Sequence, residues 1–127
     1  MALQEDMQRS LWTDASMSES QFSREVRQAL HERYYPRGIW WLNSTGYGAS
    51  HHDPFPTRGA GDLLGAIHGL WCEIELKTAT GKLREAQLAR QTLCKRLGLI
   101  YIVTRAIPHL FSVLDQFDQE HKKHAYR

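Results

Sequence analysis

The sequence predicts a single α/β domain built on a mixed β-sheet flanked by helices. Three observations carry this expectation. Helical and strand periodicities follow one another in the order helix, strand, strand, strand, helix, strand, helix. The later part reads strand, crossover helix, strand, which sets residues 70–77 and 99–104 parallel, whereas 62–67 and 70–77 form an antiparallel hairpin. The length of 127 residues, 42% hydrophobic and 24% charged, supplies one core but not two.

Taken in order, residues 1–17 are polar and read as an arm, leaving 18–127 as the domain. Ser18 or Ser16 can cap a first helix whose apolar positions Phe22, Val26, Ala29 and Leu30 recur at three- and four-residue spacing, to about Tyr34, before Pro36 and Gly38 stop it. Residues 39–42 with Trp40 and Trp41 read as a strand. Residues 43–61 are a long Gly- and Pro-bearing connection of the kind that shapes a site in a small domain. Residues 62–67 and 70–77 are strands around a turn at His68-Gly69. After a loop at 78–82, Leu83, Ala86, Leu93, Cys94 and Leu97 mark the expected buried stripe of a helix that Gly98 ends. Residues 99–104 form an apolar strand, and Pro108 opens a last helix through Leu110, Val113, Leu114 and Phe117. The closing residues 120–127 read as a solvated tail.

Cys72 and Cys94 have no paired-Cys or Cys-His spacing, so neither a zinc site nor a disulfide framework is expected. No apolar run approaches the roughly 20 residues that span a bilayer, and the N-terminus lacks the pattern of a signal peptide. A soluble protein of the cytoplasm is the expectation. A net charge of +2 neither demands nor forbids a polyanionic partner.

The chemistry is carried by the hairpin. Along residues 70–77, Cys72, Ile74 and Leu76 share one face and Glu73, Glu75 and Lys77 the other, because successive side chains on a strand point to opposite sides. Asp62, at the start of the partner strand, falls near Glu75 and Lys77. Two carboxylates can hold Mg²⁺ with waters, and a nearby amine can orient the attacking water or stabilise phosphate charge, which is what phosphodiester hydrolysis needs. Gln87 and Arg90 follow Leu83 at spacings of four and seven, on or beside the expected buried stripe, where polar groups need partners. They are read as reaching the site or the scissile phosphate.

The stretch GAGDLLGAIHGLWCEIELKTATGKLREAQ resembles the VRR-NUC branch of the PD-(D/E)XK nucleases in its short standalone, phage-type form. The likeness runs from about residue 18 to 104, through SESQFSREV, the Gly-Asp strand start, Glu-Leu-Lys, and Gly-Lys-Leu with Gln87. It implies a restriction-endonuclease-like fold and a Mg²⁺- or Mn²⁺-dependent endonuclease acting on DNA, with structured or branched DNA as the substrate class. The cell would be a bacterium or a phage-infected host. Asp62, Glu75 and Lys77 carry over as the catalytic core and Gln87 as the following glutamine. The family motif has Pro-Asp where this chain has Gly61-Asp62. The family also commonly draws a glutamate from the first helix. Glu19 and Glu25 are the candidates, and Glu19, seven residues before Val26, lies on the inward stripe and is favoured as a metal ligand.

Other features carry blander readings. Glu73 reads as a solvated strand-end charge, with a third metal ligand as the lesser reading, and His51-His52-Asp53 as a polar loop. Trp40 and Trp41 read as core, with base stacking by these and Tyr47 as the lesser reading. Arg58 either holds a phosphate or is a solvated loop residue. Lys82, with Arg84, Lys95, Arg96, Arg24, Arg27, Arg33 and Arg37, forms either a cationic rim for a DNA backbone or an ordinary charged surface. Two further functions stay open: a non-catalytic DNA-binding or assembly subunit on the nuclease fold, and an RNA-processing nuclease. A homodimer is expected, since symmetry is the simplest way to cut two strands with one site per chain.

Overall fold

Helix α1, Glu19–Tyr34, places Val26, Leu30 and Tyr34 on one stripe at four-residue intervals, and all three are buried. The chain then enters strand β1, Gly38–Leu42, where period two separates neighbours: Trp40 is buried and Trp41 is 46% exposed. The paired-core reading of the two tryptophans thus holds for Trp40 alone. This computed structural model describes residues 19–43, 59–78 and 80–125, with the side chains of residues 19, 20 and 123–125 left aside.

Strands β2, Leu63–Ile67, and β3, Leu70–Leu76, form the expected hairpin around His68 and Gly69, and both turn residues take positive φ. Helix α2, Glu85–Leu97, crosses over to β4, Ile100–Thr104, and helix α3, Ile107–Ala125, closes the fold. The sheet order is β1-β2-β3-β4. The first two pairings are antiparallel and β3-β4 is parallel, as expected of the crossover. A single small α/β domain with a four-stranded mixed sheet and three helices is the result.

One face of the sheet, through Trp40, Leu63, Ile67, Cys72, Ile74 and Ile102, meets α1 and the Ile107, Leu110, Phe111 and Leu114 side of α3. This is the hydrophobic core. Acid-base pairs fasten α3 beside it. Arg33 donates to Asp115 at 3.0 and 2.5 Å, and Tyr34 Oη donates to Asp115 at 2.8 Å. Arg37 grips Asp118 at 2.9 and 3.1 Å, and His68 Nε2 lies 2.7 Å from the same carboxylate. Arg33 and Arg37 therefore serve the fold, and are removed from the cationic rim suggested by sequence. The last helix also runs on to Ala125, through most of what read as a tail, because Phe117 and Asp118 give its third turn inward partners.

Helix α2 corrects a second expectation. Of the predicted stripe only Cys94 is buried, and Ala86, Leu93 and Leu97 are exposed, the last two at 45% and 62%. The inward face is instead Gln87, Arg90 and Cys94, at spacings of three and four. It turns toward the sheet face that carries Glu73 and Glu75, where carboxylates out of water demand donors that leucines lack. Gly98 ends the helix in the left-handed conformation at φ 72°, its N–H bonded to the last carbonyls.

Candidate active site

The hairpin positions the acidic pair. Its last ladder pair on the open side is Leu63 with Ile74, so the next step along brings Asp62 beside Glu75. Asp62 stands just before β2. Its Oδ2 accepts the Leu76 N–H at 2.8 Å, and its carbonyl accepts the Asn43 N–H at 2.9 Å. The side chain thus takes over from the ladder and ties the strand start to the end of β3.

Glu75 is 4% exposed. Its Oε1 accepts from Gln87 Nε2 at 2.7 Å and lies 3.4 Å from Lys77 Nζ. Burial, reinforced by the negative charge of Asp62, pushes its carboxyl up to about 7, while the Lys77 ammonium acts in the opposite direction. Lys77 follows β3 immediately, and its N–H continues the parallel pairing by donating to the Thr104 carbonyl at 3.0 Å. Gln87 has two tasks. Its Nε2 holds Glu75, and its Oε1 accepts the Arg84 N–H at 2.8 Å in a capping arrangement at the start of α2. Asp62, Glu75, Lys77 and Gln87 are therefore brought together, as the sequence reading expected.

Glu73 overturns its reading. It is fully buried rather than solvated, and a cage of donors surrounds it. Arg90 reaches it with Nε at 3.2 Å and Nη2 at 2.6 Å, Trp71 Nε1 donates at 2.6 Å, and the Gly61 N–H donates at 3.1 Å. A carboxylate without water needs this number of partners. Arg90 is correspondingly engaged with Glu73, which is where the structure places its guanidinium, and not toward an open phosphate position.

Gly61 explains the absence of proline before Asp62. A Cβ there would stand 2.7 Å from the Ile74 carbonyl oxygen and 2.9 Å from its nitrogen, and its N–H is the one bonded to Glu73. Proline offers neither the room nor the donor. Two more contacts pin this segment: Asn43 Nδ2 donates to the Gly61 carbonyl at 3.0 Å, and Tyr101 Oη donates to the Gly59 carbonyl at 2.9 Å. Trp71, Asn43 and Tyr101 were missed as site residues, and Glu73 was weighed only as a lesser candidate for a metal ligand. The period-two pattern placed Glu73 beside Glu75, yet it held no signal for burial, which comes from Arg90 and Trp71 together.

The remaining candidates stand apart. Glu19 is the first residue of α1, and its side chain lies outside those described. Glu25 is half-buried on the same helix, and Lys82 is exposed in the loop before α2. Arg58, Tyr47 and His51-His52-Asp53 lie outside the described residues. Trp41 meets Trp71 edge-on at 5.9 Å between ring centroids.

Among the described residues no group of three or more His, Cys, Asp or Glu side chains is arranged so that it could hold a metal ion. The donor set consists of two oxygen-bearing side chains, Asp62 and Glu75, crowded enough to repel each other. That set fits a hard divalent cation, such as Mg²⁺, which keeps several of its own waters and takes one or two carboxylates. Cys72 and Cys94 are buried, free and outside this set. Comparison of the chain with protein-family models, with curated proteins and with solved structures finds no match.

Proposed function

We propose that this protein is a metal-dependent endonuclease of the VRR-NUC type that hydrolyses DNA phosphodiester bonds, with structured or branched DNA as its substrate class. The observation that supports it best is the joining of Asp62 and Glu75 from adjacent strands with Lys77 3.4 Å from Glu75, the three residue types that the chemistry requires in one place. A bound Mg²⁺ or Mn²⁺ would supply Lewis acidity toward the phosphate and a hydroxide at neutral pH. Asp62 and Glu75 would hold it. The Lys77 ammonium orients the attacking water and faces the charge that grows on the phosphate oxygens. Gln87 keeps Glu75 in place through the 2.7 Å bond, and so acts on the reaction by positioning a ligand. Exposed Lys82, and Arg58, are the candidates for contact with the DNA backbone.

The test is a cleavage panel of plasmid, linear duplex, single-stranded and four-way-junction DNA, with matched RNA, in Mg²⁺ and in Mn²⁺. Asp62→Ala and Lys77→Ala should each lower the rate by about 100-fold or more, as losses of a catalytic group do. Cutting of RNA in preference to DNA would move the assignment to RNA processing. Binding of DNA without cutting under either metal would leave the non-catalytic subunit in its place.

A further inference from the structure

We infer that Glu73 is a positioning residue whose ion pair with Arg90 fixes Gly61, and through Gly61 the carboxylate of Asp62. The chain of contacts is continuous. Arg90 on α2 clasps Glu73 on β3, Glu73 accepts the Gly61 N–H at 3.1 Å, and the next residue, Asp62, accepts the Leu76 N–H on the far side of Glu75. Glu73 is fully buried and its oxygens are filled by Arg90, Trp71 and Gly61, so it does not touch a substrate.

The same helix also carries Gln87, three residues before Arg90, which holds Glu75. Helix α2 therefore sets both carboxylates of the candidate site. Gln87 holds one directly, and Arg90 holds the other through Glu73 and Gly61. The glycine belongs to this device, because the residue before Asp62 must offer an N–H to Glu73 and lie against Ile74 without a Cβ. What this means for cleavage rests on the nuclease reading, whereas the positioning of Asp62 does not.

Amide hydrogen exchange followed by NMR on the full chain without metal tests the positioning alone. In Glu73→Gln the Gly61 and Leu76 amides should exchange about tenfold faster or more, while the Lys77 amide, bonded to Thr104, keeps its wild-type rate. Trp71→Phe leaves the Gly61 bond and the Arg90 pair, and should leave Leu76 protected. Should Glu73→Gln fail to fold, Arg90→Lys keeps the charge but loses the forked grip, and should loosen the same two amides. Unchanged Leu76 exchange in a folded variant, or equal acceleration at Leu76 and Lys77, overturns the inference.

Cleavage assays form the second arm. The Glu73 variant should lose about 10- to 100-fold in Mn²⁺ affinity, the usual effect of removing support behind a ligand, with KM for DNA little changed and kcat partly restored at high Mn²⁺. Altered exchange in a protein whose wild type cuts nothing would retire the nuclease reading and leave the positioning of Asp62 standing.

Discussion

Glu75 is held where its charge is costly. Its carboxyl is raised from an ordinary value of 4.5 to about 7, by burial first and by Asp62 second. A group whose folded-state value is raised binds a proton more tightly in the folded chain. Its stabilising contribution is present below about 4.5 and is lost as the pH climbs through about 7. Metal-free wild type should therefore lose stability over that window, while Glu75→Gln, which keeps an oxygen for Gln87, should not. With partial screening by solvent the difference at pH 8 is about 1 to 2 kcal/mol, or roughly 4 to 8 °C in Tm. Thermal melts of both proteins in a chelator at pH 5 and pH 8 check this. A variant no more stable than wild type at pH 8 would show that Glu75 is not strained by its charge. The convergence of Asp62, Glu75 and Lys77 was legible in the sequence, because a strand sorts Glu75 and Lys77 to one face by parity and the hairpin returns Asp62 beside them. The burial of Glu73 was not, since it depends on an arginine 17 positions on and an indole two positions back.

Among the elements, α2 shows how hydrophobic periodicity can select the wrong face. Leu93 and Leu97 suggested an inward stripe, yet the sheet beneath α2 carries acids, and so Gln87 and Arg90 turn inward. Their spacing identified them as inward-facing, but their partners proved to be carboxylates of this chain. Helix α3 is latched in the opposite sense, by its own acids. Hydrogen bonds from the Arg33 guanidinium hold Asp115 below the usual carboxylate value. At Asp118 burial pushes upward, and the donors Arg37 and His68 outweigh it, so its carboxyl also lies low. A depressed carboxylate contributes stability that is present above the unfolded value, near 3.8, and is lost as the pH falls through the lower folded value. On top of the change that Glu75 brings at higher pH, these two carboxylates should leave wild-type stability unaltered down to about pH 5 and lower it below about pH 4. Arg37→Met should cost about 2 kcal/mol at pH 7 and flatten that acid drop. Chemical denaturation across pH 3 to 7 reads both, and an acid limb as steep as wild type in the variant would place the latch elsewhere.

For the whole molecule, the mixed α/β sheet, the β2-β3 hairpin and the parallel β3-β4 pair followed from the sequence, because the βαβ crossover permits one hand and direction and the turn at His68-Gly69 fixes the hairpin register, whereas the place of β1 beside β2 was not read. What sequence alone left open is how the two sheet faces divide the labour. One face meets α1 and α3 through an apolar core. The other places buried acids under α2, and the candidate site forms where Asp62 and Glu75 meet at the open end of the hairpin. An apolar core on one side gives the strands the rigidity to keep two repelling carboxylates together on the other. A divalent cation would offset that repulsion, and the most direct measurement is a Mn²⁺ titration of the full chain, followed by electron paramagnetic resonance. Wild type should bind in the site, and Asp62→Asn and Glu75→Gln should each weaken that binding by about tenfold or more while remaining folded. Binding that neither substitution weakens, or no binding at all, would contradict the assignment of Asp62 and Glu75 as one metal-holding pair.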